Sequence, residues 1–311
     1  MRRPTPSIYS ALGANLAIAI VKFIAGSASR SSSMISEAVH SMVDCLNELL
    51  LLLGIKKSNK KGDKEHPFGY GRELYFWSFI VAIMIFGLGA GVSFLQGFFQ
   101  LREPELPRHI AWNYIVLACA FLFEGTSFLI ALKAFNKVRR GDQSFWQAIR
   151  SSKDPTIFMI LLEDAGAVAG VIVVVTFLFL GEKFQNPHLD GVASILVSLI
   201  LAFISIILAR ECRSLLMGEG ISKESEEKIT DLVRQDRAVN NLHRIFSIYE
   251  SPDEVLIVLI ISFQEDLTVR QINQAIQRLK KTIRAEFGKI NYIIIEPHPK
   301  EKKKADFKIG A

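Results

Sequence analysis

Cysteine is scarce in this chain. Only three occur in 311 residues, Cys45, Cys119 and Cys212, and no two form a C-x-x-C pair. That argues against a disulfide framework and a thiolate zinc site, and leaves the three as small buried residues. No HExxH pair occurs, and no other motif supplies a nucleophile. An intramembrane hydrolase needs two convergent catalytic groups, so the chain does not read as an enzyme. No thiolate or thioether cluster is present, which disfavours copper(I). No cleavable leader is expected. Met1, Arg2 and Arg3 precede an apolar block long enough to be a first spanning helix.

Apolar residues are plentiful. They make up 50% of the chain, and the mean hydropathy of +0.28 is high for a soluble protein of this size. They concentrate in blocks before residue 212. Six segments reach the roughly 20 apolar residues that a bilayer demands: 8–26, 35–55, 74–99, 111–135, 156–180 and 189–208. The net charge of +6 does not point to nucleic acid, because the basic residues lie between the blocks. Lys56, Lys57, Lys60, Lys61 and Lys64 follow the second segment, and Lys137, Arg139, Arg140, Arg150 and Lys153 follow the fourth. This bias predicts both termini in the cytoplasm.

From residue 213 the pattern is that of a small soluble domain ending near 299, followed by a lysine-rich tail over 300–311 that is expected to be disordered. Ser222 reads as the cap of a helix over 221–233. Strands are expected over 242–249 and 255–263, with a break at Ser251, Pro252 and Asp253. Thr268 opens a helix that Gly288 stops, and its apolar face is Ile272, Ile276, Leu279, Ile283 and Phe287. A last strand covers 290–295. The order α-β-β-α-β suits two layers with the helices on one face of a sheet.

The most informative residues are the ionisable ones inside apolar segments. On the second segment Glu37, His40, Ser41, Asp44, Asn47 and Glu48 fall within an arc of about 120° at helical spacing. Such a stripe must face protein or water. Intramembrane acids are too costly to serve packing alone. On the fifth segment Asp164 stands among Ala165, Gly166, Ala167, Ala169 and Gly170, small residues that admit a close neighbour. His40, Asp44 and Asp164 supply one imidazole and two carboxylates, a set that zinc accepts and that manganese, iron and cobalt accept with other preferences. The fourth ligand is open. Glu163 points about 100° away from Asp164 on a helix, and water is the simplest alternative. A divalent ion offsets the buried carboxylates. Its departure requires protons or water in exchange, so metal–proton antiport is expected.

These residues, with SEAVHSMVD at 36–44, HPFGYGR at 66–72, LED at 162–164, DGVASI at 190–195 and LMGE at 216–219, resemble the cation diffusion facilitators, in the branch of the mitochondrial-type zinc transporters and their bacterial relatives. The resemblance covers nearly the whole chain. It implies six transmembrane helices followed by a cytoplasmic, ferredoxin-like αββαβ domain, a homodimer whose tail domains meet across a two-fold, and proton-coupled export of a divalent metal. Zinc is the leading substrate, with manganese, iron, cobalt and cadmium as alternatives. The start of the chain does not look like a transit peptide, which makes a bacterial plasma membrane the simplest expectation. The family's transport site takes two ligands from each of the second and fifth spans. His40, Asp44 and Asp164 match three of them, and the fourth position falls on Ile160. Glu163, Glu37, Asn47 or water then completes the shell. A second site in the loop after the second span would use Asp63 and His66, but Tyr70 stands where a histidine is needed. Tail sites would draw on His243, Glu296 and His298, with Leu259 at another ligand position. Outside the ligand set, Asp190 reads as a helix cap and Glu124 as a partner of Lys22, in a structural or proton-relay role. A membrane metal sensor that signals through its tail without net transport is the competing function.

Overall fold

The computed structural model describes residues 6–107, 110–139 and 143–299, so the expected basic tail lies outside the described residues. The chain divides into two compact units after Leu216.

The first unit is helical. It contains α1 (Pro6–Ser29), α2 (Ser32–Ser58), α3 (Glu73–Met84), a π-helical segment (Ile85–Ala90), α4 (Gly91–Arg102), α5 (Ile110–Val138), α6 (Phe145–Ser151), α7 (Pro155–Phe184) and α8 (His188–Met217). Five helices among the described residues are long and apolar enough to cross a membrane: α2, the continuous rod Glu73–Arg102, α5, α7 and α8. Within α1 the apolar stretch Asn15–Ser29 is shorter. The π segment carries Gly87, Gly89 and Ala90, residues with little side chain to resist a widened turn.

Helix α2 is the hub. It packs against α1, α3, α4 and α7. Its start is set by a tight reversal from α1, in which Arg30 takes a left-handed φ of 57° and Ser31 caps α2 by accepting from the Met34 amide. Helices α4 and α8 cross where Gly97 meets Gly191. A Cβ built on Gly97 would lie 2.8 Å from the Gly191 carbonyl oxygen, so this close approach requires glycine.

The loop between α5 and α7 holds α6, a helix with Ala148 and Ile149 buried. Apolar periodicity is too short here to mark a helix. The signal lies instead in Ser144 and Gln147, which form a reciprocal capping box.

The second unit contains α9 (Lys223–Arg234), β1 (Val239–Ser251), β2 (Glu254–Phe263), α10 (Val269–Glu286) and β3 (Ile290–Pro297). Strands β1 and β2 are antiparallel, and β2 pairs with β3 in parallel through α10, giving the order β1-β2-β3. Strand β1 is longer than its alternating pattern implies, because register irregularities between Val239 and Asn241, Leu242 and Arg244, and Tyr249 and Ser251 interrupt the two-residue period. Ser222 and Thr268 cap α9 and α10. Ile229 and Val233 of α9, and Ala275, Leu279 and Ile283 of α10, pack on Ile257, Leu259, Ile261, Ile293 and Ile295 of the sheet.

Candidate metal site in the helical unit

The polar stripe of α2 is buried inside the bundle. Ser36, Glu37, His40, Ser41 and Asn47 are all buried. Ser41, Asp44 and Glu48 line a cavity of about 460 Å³ together with Glu124 of α5 and Glu163 and Asp164 of α7. Five carboxylates therefore face one space enclosed by apolar helices. Few neighbours neutralise them. Ser127 donates to Asp164 Oδ2 at 2.8 Å, Asn47 donates its side-chain amide to Glu163 Oε1 at 2.9 Å, and Asn15 donates to Glu48 Oε1 at 2.7 Å. Asp44 Oδ1, Glu48 Oε2 and Glu124 Oε2 are buried without a hydrogen-bond partner. Unmatched carboxylate oxygens in a low-dielectric space attract a cation.

The sequence candidates separate in space. Asp44, Glu163 and Asp164 are brought to the cavity. His40 sits beside it, with Nδ1 3.6 Å from Asp44 Oδ1 and both ring nitrogens buried and unpartnered. Asn47 reaches the site only through Glu163. Glu37 turns away to Lys22 of α1, at 3.0 Å. Ile160 lines the cavity and brings no donor atom. Among the described residues, no three His, Cys, Asp or Glu side chains converge tightly enough to hold an ion. Ligation by His40, Asp44 and Asp164 therefore requires side-chain rotation about this cavity. Glu48 is visible in the α2 stripe, four residues beyond Asp44, yet sequence reasoning does not place it among the candidate ligands. Asn15 and Ser127 escape it too, since a neutral polar residue in an apolar helix gives no sign of which neighbour it meets.

Gly170 of α7 faces Glu37 so closely that Glu37 Oε1 occupies the place of a side chain there. Gly170→Val is expected to push that carboxylate off Lys22 and destabilise the bundle by about 1–3 kcal/mol, the usual range for overpacking. A melting temperature unchanged from wild type in detergent would contradict this.

The expected pairing of Glu124 with Lys22 is present at 2.6 Å. Asp190 does cap a helix, though not its own. It lies in the first turn of α8 but caps α2, accepting from the Ser32 amide at 2.6 Å, from Ser31 Oγ at 2.7 Å and from Ser33 Oγ. Burial beside the start of α2 brings those donors closer than the amides of its own helix.

In the loop after α2, Asp63 is already engaged. Tyr70 donates to Asp63 Oδ2 at 2.7 Å, the His66 amide donates to Oδ1 at 2.9 Å, and Lys60 reaches Oδ2 at 3.1 Å. The Lys60 ammonium supplies the positive charge that a metal would otherwise bring. The Tyr70 hydroxyl foremost, then the His66 amide and Lys60, hold the Asp63 carboxyl well below its usual range. A depressed folded value stabilises the loop above the unfolded carboxyl range, and that stability is lost as pH falls through the folded value. Asp63→Asn is expected to expose Lys60, Lys61 and Lys64 to trypsin several-fold faster at neutral pH. Equal cleavage rates would show that Asp63 does not order this loop.

In the tail unit, His243 and His298 lie with ring centroids 5.2 Å apart, and His243 Nε2 is buried without a partner. Leu259 belongs to the core, and Glu296 is exposed on β3.

Comparison with known proteins agrees with this architecture. The cation efflux transmembrane domain family matches residues 8–217. The chain is 36% identical over 228 residues to the mitochondrial proton-coupled zinc antiporter SLC30A9 of Mus musculus, a match covering 72% of this chain and 40% of that protein. It is 30% identical to metal tolerance protein C4 of Arabidopsis thaliana, over 91% of this chain and 61% of that one. It is 22% identical to the manganese efflux system protein MneP of Bacillus subtilis, over 93% and 94%. The chain thus spans about two-fifths of the length of its mitochondrial relative and nearly all of the bacillary one. A bundle of membrane-length helices with acids around an inner cavity, and a family match over its whole length, lead to one assignment: the chain belongs to the cation efflux, or cation diffusion facilitator, family of membrane transporters.

Proposed function

We propose that this chain exports a divalent metal cation, zinc foremost, from the cytoplasm in exchange for protons. The observation that carries the reading is the cavity shared by Asp44, Glu163 and Asp164 inside apolar helices. A single divalent ion can match charge that the protein leaves open there. His40 beside Asp44 adds a nitrogen donor, which favours zinc over the all-oxygen preferences of magnesium or calcium. The zinc antiporter and manganese efflux names of the relatives support the same class of cargo. Ligands must be deprotonated to bind metal, so protons entering the cavity drive release. In this reading Asp44, Asp164 and His40 hold the ion, and Glu163, Asn47, Glu37 or water fills the remaining position.

The fuller architecture goes with that function. The unit before residue 213 makes six spans with α1 as the first, residues 213–299 form the tail domain, and both termini face the cytoplasm of a bacterium. The chain works as a homodimer. The open face of the tail sheet supports this, since Phe246 and Ile294 are 52% and 47% exposed there, an apolar area suited to a partner surface.

The test is metal uptake into proteoliposomes under an imposed pH step, with zinc, manganese, iron(II), cobalt and cadmium compared side by side. Flux that follows the pH step supports antiport, and the panel ranks the metals. Binding without movement would replace the transporter with the metal sensor.

A further inference from the structure

The cluster around Lys22 is larger than an ion pair. Lys22 is fully buried and donates its three ammonium protons to three acceptors: Glu37 Oε2 at 3.0 Å and Ser41 Oγ at 3.0 Å on α2, and Glu124 Oε1 at 2.6 Å on α5. One positive charge thus faces two carboxylates. The two remaining oxygens, Glu37 Oε1 and Glu124 Oε2, are buried with no hydrogen-bond partner. Glu37 itself is fully buried, and Glu124 is 9% exposed. Ser41 and Glu124 also line the acid cavity, so the ammonium sits beside space that a transported ion must enter.

We propose that the Lys22 ammonium is a tethered cation seated in a second cation site, built from Glu37, Ser41 and Glu124, and that it restricts the cavity to one divalent ion. The inference rests on the transport reading for its context, because it assumes that the cavity admits metal. The geometry is that of a coordinated ion. Acceptors from two helices converge on one positive centre, and a third helix braces Glu37 through Gly170. Removing the ammonium leaves Glu37 Oε2, Glu124 Oε1 and Ser41 Oγ around a vacated centre. Such an all-oxygen set suits a hard cation, manganese or calcium, better than zinc. The neighbouring place differs, because His40 brings nitrogen to Asp44. Lys22 therefore serves specificity: its fixed charge closes the oxygen-only position and leaves the nitrogen-bearing one for cargo.

The experiment counts manganese bound per chain, by titration of the full-length protein in nanodiscs. Wild type is expected to bind one ion, and Lys22→Ala two. Lys22→Ala with Glu124→Gln is expected to return to one, with the extra site weakened about 10-fold or more, as for loss of a partner at a metal centre. A folded Lys22→Ala chain that binds the same number as wild type overturns the proposal. If wild type binds no metal, the transport reading fails separately, and a Lys22→Ala chain that gains one ion still supports the second site. Folding is read in parallel. Lys22→Ala should melt lower than wild type in chelator and recover in millimolar manganese, because metal binding to a folded site is folding free energy. A variant that stays unfolded with manganese present counts against the proposal.

Discussion

Reconstituted Asp44→Asn and Asp164→Asn chains are expected to lose zinc flux by at least on the order of 100-fold, more than the 10- to 100-fold typical for outer partners of a metal ligand. The substitution keeps side-chain volume, and in Asp164→Asn the new amide oxygen can still accept from Ser127, whose hydroxyl donates to Asp164 at 2.8 Å in the wild type. What changes is charge. Asp44 Oδ1 is buried with no donor, so its stability inside the bundle depends on a cation or a proton. An amide needs neither, and it binds a divalent ion weakly. Under the proposed antiport, proton coupling should fail along with flux, since a carboxylate that could take up a proton in place of metal is gone. The measurement is zinc uptake under a pH step, with elution profiles checking that both variants remain folded. Wild-type flux in either folded variant would remove that residue from the path.

Asp190→Ala is expected to be the most destabilising single change in the helical unit. Its carboxylate accepts from the amides of Ser32 and Ser33 and from three serine hydroxyls at the start of α2. Alanine orphans two backbone donors at a buried helix terminus, at about 1–3 kcal/mol each, and removes an anion from the positive end of α2. The expected loss is about 3–5 kcal/mol, a fall in melting temperature on the order of 10 °C for a unit of this size. Asp190→Asn keeps one acceptor oxygen and should fall between. Melting followed by fluorescence-detected elution checks the order. If alanine and asparagine both melted with wild type, the cap would contribute nothing, and the serines would be satisfied by water.

Much of this is legible in the sequence, for reasons that differ by element. Five membrane-length helices can be read because bilayer length and hydropathy constrain them directly. The tail elements are legible from caps such as Ser222 and Thr268 and from the period of α10. The α2 stripe is legible because apolar surroundings make each acid conspicuous. What a stripe cannot reveal is which neighbour each side chain meets. Glu37 and Asp44 lie on the same arc, yet one finds a lysine and the other a cavity, because Lys22 of α1 reaches the level of Glu37 while Asp44, about two turns further along α2, opens on the cavity. Asp190 reads as a local cap since local donors are all that sequence offers. Ser32, whose amide it accepts from, stands 158 residues away along the chain. Asn15 and Ser127 carry no signal until α1 and α5 are docked.

The pairing of Lys22 with Glu37 also bears on how the bundle is assembled. The two residues are only 15 positions apart and belong to successive helices joined by the reversal at Arg30. As the chain emerges during synthesis, α1 and α2 can leave the aqueous channel as a hairpin in which Lys22 and Glu37 already compensate each other. Asp44 has only His40 of its own helix beside it and, among the described residues, no lysine or arginine in the hairpin paired with it. Its cavity is complete only when α5 and α7 arrive, so the acids that line it enter the bilayer last in charge balance, though α2 enters early in sequence.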